Sequence, residues 1–200
     1  VVTLNLSRIG YMSRKMAYDG KEFKMILRPF EELQQEIKNL KTQYAEEKLM
    51  LEIFFTMVKY FMGLAKESLI IKRKVVQENY DRNMMPYTKR YLEGFWNHFN
   101  TIGVNAGQEC CLNMFGYGIE DQRGNEFIQS VLNFMLDQLK EYQVEYKDYY
   151  KEIGKGLLFN IEATPAEGTG TRFAIHDLED FNGEIVTANG KQLKYYTNST

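Results

Sequence analysis

The strand-like residues LLFNIEAT, 157–164, run straight into Pro165, Ala166, Glu167, Gly168, Thr169, Gly170 and Thr171, and a helical spacing of Arg172, Phe173, Ile175 and Leu178 follows. A strand-to-helix corner built of small residues suits an anion. The free N–H groups of a first helical turn carry partial positive charge, glycine admits a ligand close to the backbone, and threonine hydroxyls add donors. Phosphate is the natural guest. The same residues also fit a self-contained corner, in which Thr164 caps the helix, Pro165 takes its first position and Glu167 reaches back as capping-box partner, with nothing bound. The pattern is no P-loop consensus, so spacing alone leaves both readings open.

Few other side chains offer chemistry by spacing. Cys110 and Cys111 are the only thiols; as neighbours they cannot staple distant segments, which fits a reducing compartment, and vicinal cysteines in an apolar stretch are more often small buried hydrophobes. His98 and His176 lie far apart with no ligand spacing around them, so no metal site is expected. Tyr142, Tyr146, Tyr149 and Tyr150 form a stripe at helical spacing and read as core or interface. Trp96 with Phe95 and Phe99 reads as core, and Met57, Met62, Met84 and Met85 as gap-filling.

The elements that must position these residues follow from periodicity. Residues 1–6 alternate and are β-branched, which predicts a strand, with RIGYMSRK turning into a short helix. Apolar positions 30, 33, 37, 40 and 44, then 51, 54, 58, 61 and 65, mark one helical face. The register slips at Glu46, Glu47 and Lys48, which allows one bent helix or two. IKRKVVQENY is a strand or helix, residues 83–87 (NMMPY) a loop, and FNTIGVNAG a strand. The clearest helix runs through Ile128, Leu132, Met135, Leu139, Tyr142, Tyr146, Tyr149 and Ile153, stopped by Gly154 and Gly156. LLFNIEAT suits burial on both faces of a parallel sheet, and EIVTANGKQLKYY a hairpin on Asn189 and Gly190. Strands separated by long amphipathic helices predict an α/β layer or barrel.

Composition sets the outer bounds. The 200 residues, 44% apolar and 14% aromatic, suffice for one core. A net charge of −2 from 25 basic and 27 acidic residues supplies no field for nucleic acid or an anionic membrane. No apolar run reaches about 18 residues and no basic-then-apolar leader opens the chain, which reads as cytoplasmic. The first residue is Val, so an excerpt of a longer polypeptide is expected.

NIEATPAEGTGTRF resembles the strand, Thr-Pro-Ala/Ser-Glu and Arg-Phe segment of the anaerobic (class III, glycyl-radical) ribonucleotide reductases. VVTLNLSRI, NHFNTIGVNAGQECCLNMFG and YYTNS resemble three further segments in that family's order, so the resemblance spans nearly all of residues 1–200. It implies one segment of a larger ten-stranded α/β barrel of the ribonucleotide reductase type, without the family's N-terminal nucleotide-sensing region and its C-terminal zinc and glycyl-radical regions. It implies radical reduction of ribonucleoside triphosphates to 2′-deoxyribonucleoside triphosphates, with nucleotide effectors, an iron–sulfur/S-adenosylmethionine (radical-SAM) activase as partner, and a homodimer through long helices. Thr164, Pro165, Ala166, Glu167, Gly168 and Thr169 would cradle the substrate phosphates.

In that family a finger loop presents a cysteine, and position puts the loop near residues 83–87, where Met84 and Met85 stand instead. A thioether has no S–H to yield a thiyl radical. Cys110 and Cys111 are the substitutes within the chain, and Gln108, beside Glu109 and near Asn105, falls where the resemblance places an Asn or His facing substrate. The resemblance thus implies a catalytic set of Gln108, Glu109, Cys110, Cys111 and Met85. The alternative is a reductase-like module that binds nucleotide phosphate without hydrogen abstraction. A third reading gives residues 30–65 and 127–153 a purely structural duty as a dimer face.

Overall fold

A computed structural model of the chain describes residues 1–23, 30–163, 167–188 and 193–198, with Phe30 and Glu167 described by backbone alone. Strand β1 (Val2–Asn5) passes directly into helix α1 (Leu6–Tyr18), because the Asn5 side chain accepts the Arg8 N–H at 3.1 Å and caps the helix. Helices α2 (Phe30–Gln43), α3 (Glu46–Asp81) and α4 (Pro86–Tyr91) lead to β2 (Phe99–Asn105). Then come α5 (Gly107–Phe115), α6 (Gln122–Glu145), a short 3₁₀ turn at Lys151–Ile153, β3 (Leu158–Ala163) and α7 (Glu167–Asp180).

The strands form one parallel sheet in the order β1-β2-β3, with Asn5 opposite Asn105 and Val104 opposite Ala163. This register brings the carboxyl ends of all three strands to one edge. The core lies where α3 and α1 meet β2 and α6: Phe54, Ile53, Met57, Val58 and Met62 of α3 are sealed from solvent, as are Ile102, Val104, Val131 and Met135. Gly10 is what lets α1 close on α5, since a Cβ there would stand 2.9 Å from the Cys110 sulfur and 3.2 Å from the Cys110 carbonyl. Among the described residues no helix is long and apolar enough to cross a membrane.

Several expectations change here. The register slip resolves as two helices, α2 and α3, divided at Tyr44 and Ala45, and IKRKVVQENY is the last part of α3, which carries on past Ala65 to Asp81. The helix expected to reach Ile153 ends at Glu145, where the Tyr146 carbonyl takes N–H groups from Tyr149 (3.2 Å) and Leu157 (3.1 Å) and turns the chain. Tyr146 and Tyr149 keep their helical spacing in sequence because the turn still holds both rings against the core. β3 is parallel as expected but is an edge strand here, with Glu162 and Ala163 exposed, not covered on both faces. The turn at Asn189 and Gly190 lies outside the described residues; beside it the Ala188 N–H donates to the Tyr195 carbonyl at 3.1 Å. The mixed α/β class stands, mostly helical around this small parallel sheet.

Candidate active site

Open parallel sheets bind ligands beyond the carboxyl ends of their strands, where the chain leaves for the next helix. At that edge β1 and β2 both close on asparagine. Past Asn105 the chain turns through Ala106, whose φ of 67° is left-handed and unfavourable for a residue with a Cβ. Two backbone bonds hold it there: its N–H donates to the Thr197 carbonyl at 3.1 Å and its carbonyl accepts the Cys110 N–H at 2.9 Å. Glu109, in the first turn of α5 and fully buried, accepts the Thr197 N–H at 3.1 Å and the Thr197 hydroxyl at 3.0 Å, one on each oxygen. Residues 195–198 are thereby strapped across the end of β2.

Asn105 donates its Nδ2 to Asn198 Oδ1 at 2.6 Å, while its own Oδ1, out of contact with solvent, accepts no hydrogen bond. Beside it Asp177 of α7, 1% exposed, gathers three donors: Asn5 Nδ2 at 2.8 Å, Arg8 Nε at 2.5 Å and the Tyr196 hydroxyl at 2.6 Å. Burial, and then the charge of Asp177, push the Tyr196 phenol far above its ordinary range. The Tyr196 N–H donates to the Gly170 carbonyl at 3.3 Å, so strap, α7 and both strand ends form one polar body. Gly168, in the first turn of α7, is exposed, and a Cβ built on it would meet nothing within 4 Å. Packing among the described residues does not require a glycine there.

Of the residues singled out from the sequence, Glu109 belongs to this body and Gly168 and Thr169 flank it. Thr164, Pro165 and Ala166 lie outside the described residues, and the side chain of Glu167 is not described. Gln108 is turned to other work: its Oε1 accepts the Ile119 N–H at 2.7 Å and its Nε2 donates to Glu120 at 2.9 Å. Cys110 packs on Met114 of its own helix, with 3.8 Å between sulfurs, and against Gly10 of α1, while Cys111 meets the Gly124 carbonyl of α6 at 3.7 Å, so both thiols are taken up in helix packing. Met85 sits past the C-terminus of α3. Because Arg73 of α3 already meets Asn100 near the start of β2 and Tyr80 packs on Phe95 before it, residues 83–87 lie beyond the amino end of the strand, opposite Asn105. Sequence reasoning missed Asn5, Arg8, Asp177, Tyr196 and Thr197. The available signal was that VTLN and GVN, read as parallel strands, each end in asparagine just before a helix.

Burial drives the Cys110 thiol well above its ordinary value and pushes Cys111 up to about 12, with the Glu120 charge adding to the latter. At pH 8 the thiolate fraction of Cys111 falls roughly a thousandfold below that of a free thiol. Iodoacetamide is therefore expected to modify neither cysteine in the native protein within an hour, and both promptly in urea. Rapid native labelling of either, read by mass spectrometry, would refute this burial.

The first turn of α7 starts beside this strand-end body, which offers a buried acceptor, Asn105 Oδ1. Comparison with known proteins gives this geometry its setting. The anaerobic ribonucleoside-triphosphate reductase family matches over residues 1–200. The chain is also similar to the anaerobic ribonucleotide reductase of Thermotoga maritima with glycerol in its active site, at 21% identity and a TM-score of 0.64, covering 98% of this chain and 25% of that one. The same enzyme in complex with dATP and CTP gives 20% identity and a TM-score of 0.63, over 98% and 26% of the two chains. A further anaerobic ribonucleotide reductase structure gives 21% and 0.64, over 98% and 24%. The chain thus spans about a quarter of the length of the solved structures it matches, and at these identities the likeness speaks for the fold. No protein with a curated description matches it. A family match that extends over every residue places the assignment beyond the fold: the chain belongs to the anaerobic ribonucleoside-triphosphate reductases.

Proposed function

We propose that residues 1–200 are part of the ten-stranded catalytic barrel of an oxidoreductase that reduces ribonucleoside triphosphates to 2′-deoxyribonucleoside triphosphates by radical chemistry. The observation that carries this, given the family, is the convergence of Asn5, Asn105, Glu109 and Asp177 on the strand-end edge from which α7 departs. The substrate phosphates sit at the corner 164–169, against the N-terminus of α7. The hydrogen-abstracting thiol, the glycyl radical and the zinc site belong to other parts of the parent polypeptide, which an iron–sulfur/S-adenosylmethionine activase charges. Effector nucleotides bind it as well. Exposed Ile71 and Val75 on α3, and Leu136 and Val144 on α6, support the homodimer reading of the long helices.

One observation favours a second reading. Both thiols of the chain are buried in helix packing, as a nucleotide-binding module without hydrogen abstraction would allow.

Gly168→Ala separates the possibilities. Since a Cβ there meets no protein atom within 4 Å, the variant keeps its fold and gains up to about 1 kcal/mol from helix propensity. The methyl group nevertheless takes the space in which a phosphate approaches the backbone. With the parent polypeptide, purified anaerobically and activated, deoxynucleotide formation is expected in wild type and a KM at least about tenfold higher in the variant. An unchanged KM places the phosphates elsewhere. Wild type that forms no product, while a nucleotide still protects residues 167–170 from hydrogen exchange, leaves the module reading.

A further inference from the structure

A second concavity of about 500 Å³, within the size range of small-molecule sites, opens where α1 and α5 end, remote along both helices from the strand corners. Its floor is Met50 and Met114, both buried, and Phe115. One wall is a preformed stack. Phe115 and Tyr117 lie 5.3 Å apart at 11°, Arg123 covers Tyr117 at 4.2 Å, and Asp121 fixes Arg123 through Nε at 3.0 Å and Nη2 at 2.8 Å. Tyr18, half exposed, also lines the cleft.

The charges lining this space are unevenly matched. Arg123 has Asp121; Lys15 has Asp19 at 3.0 Å and Glu184 at 3.2 Å. The carboxylate of Glu47 sits in the first turn of α3, where the helix terminus favours it. Arg14 is different: among the described residues no ion pair holds it, and its one hydrogen bond is a 3.5 Å approach to the Asn113 carbonyl, at the limit of the range. The exposed Arg14 guanidinium, over an apolar floor and beside an aromatic wall, matches an anionic group attached to a flat ring.

We propose that this cleft binds a ring-bearing phosphate ester of mononucleotide size, with the phosphate on Arg14 and the ring on the aromatic wall of Phe115 and Tyr117. The site is separate from the corner at 164–169 and does not depend on the reading of that corner.

The test uses the whole purified protein and hydrogen exchange read by mass spectrometry, with AMP, adenosine and inorganic phosphate as three separate probes. AMP is expected to slow exchange in peptides covering residues 11–19 and 113–123, whereas adenosine and phosphate at the same concentration do not. Arg14→Gln, a change at an exposed side chain, is expected to weaken the AMP effect about tenfold or more, the loss of one charge-assisted contact. Its thermal midpoint should match wild type, so a misfolded variant cannot pass for a positive result. No AMP protection at millimolar concentration overturns the proposal. So does protection that survives Arg14→Gln, and equal protection by phosphate alone overturns the ring's place in it.

Discussion

Replacing Asp177 by alanine is expected to destabilise the protein by about 3–5 kcal/mol, the usual cost of removing one partner from a buried charged network. The reason is what remains behind. Arg8 would keep only Asp180, at the surface, while the Asn5 amide and the Tyr196 hydroxyl would both lose a common acceptor. Denaturant unfolding of wild type, Asp177→Ala and Asp177→Asn orders the effects. The asparagine retains one acceptor oxygen but no charge, so it should fall between the other two. Hydrogen exchange should also rise in residues 195–198, which Tyr196 ties to α7. A loss below about 1 kcal/mol for the alanine would mean that the network is solvated and contributes little.

Arg73→Ala should have an effect of similar size at the other end of the sheet. This side chain is 9% exposed, and its partners are all neutral: Asn100 Oδ1 at 3.0 Å, the carbonyls of Phe95 at 2.8 Å and His98 at 2.6 Å, and the Tyr150 hydroxyl at 3.1 Å. One planar fork therefore closes the approach to β2 against both α3 and the segment before β3. Truncation strands the buried Asn100 amide oxygen and two part-buried carbonyls, at about 3 kcal/mol in total. Lysine should restore little, since a single ammonium cannot span acceptors arranged for a guanidinium. Trp96, the chain's one tryptophan, lies within the clamped segment, so its native emission should shift in both variants. Unchanged emission together with wild-type stability for Arg73→Lys would show that a point charge suffices.

The parts of this structure that were legible in the sequence are those with short-range causes. β1, β2, β3, α6 and α7 follow from alternation or 3-to-4 spacing, and the division between α2 and α3 falls beside the three charged residues that broke the repeat. The end of α3 was obscured because Ile70, Ile71, Val75 and Val76 put β-branched residues on several faces, which reads equally as strand. Packing decides it, as Arg73 and Tyr80 anchor that stretch to residues before β2. Tyr146 and Tyr149 misled in the opposite way, since a tight turn can hold rings against a core as well as a helix can. At the candidate site, Glu109 was singled out because the resemblance places a Glu after the NTIGVN strand, and the structure sets it against Thr197. Asp177 was not, since its partners Asn5 and Arg8 are 172 and 169 positions away and no local spacing encodes that meeting. Residues 83–87 were drawn toward the chemistry by order along the chain, whereas a parallel sheet has two ends and these residues belong to the wrong one.

The strap at residues 195–198 also fixes when the site can exist. A ribosome delivers Asn5 and Arg8 first and Asp177 much later, and at about 5–20 residues per second the interval is roughly ten to thirty seconds. Glu109 waits for Thr197 across 88 positions. Throughout that time the nascent chain carries carboxamides, a guanidinium and a carboxylate destined for burial but still without their partners, so the strand-end edge stays hydrated and open. Of the members of this network the strap is the last to emerge, and it acts as the closing stitch of the site.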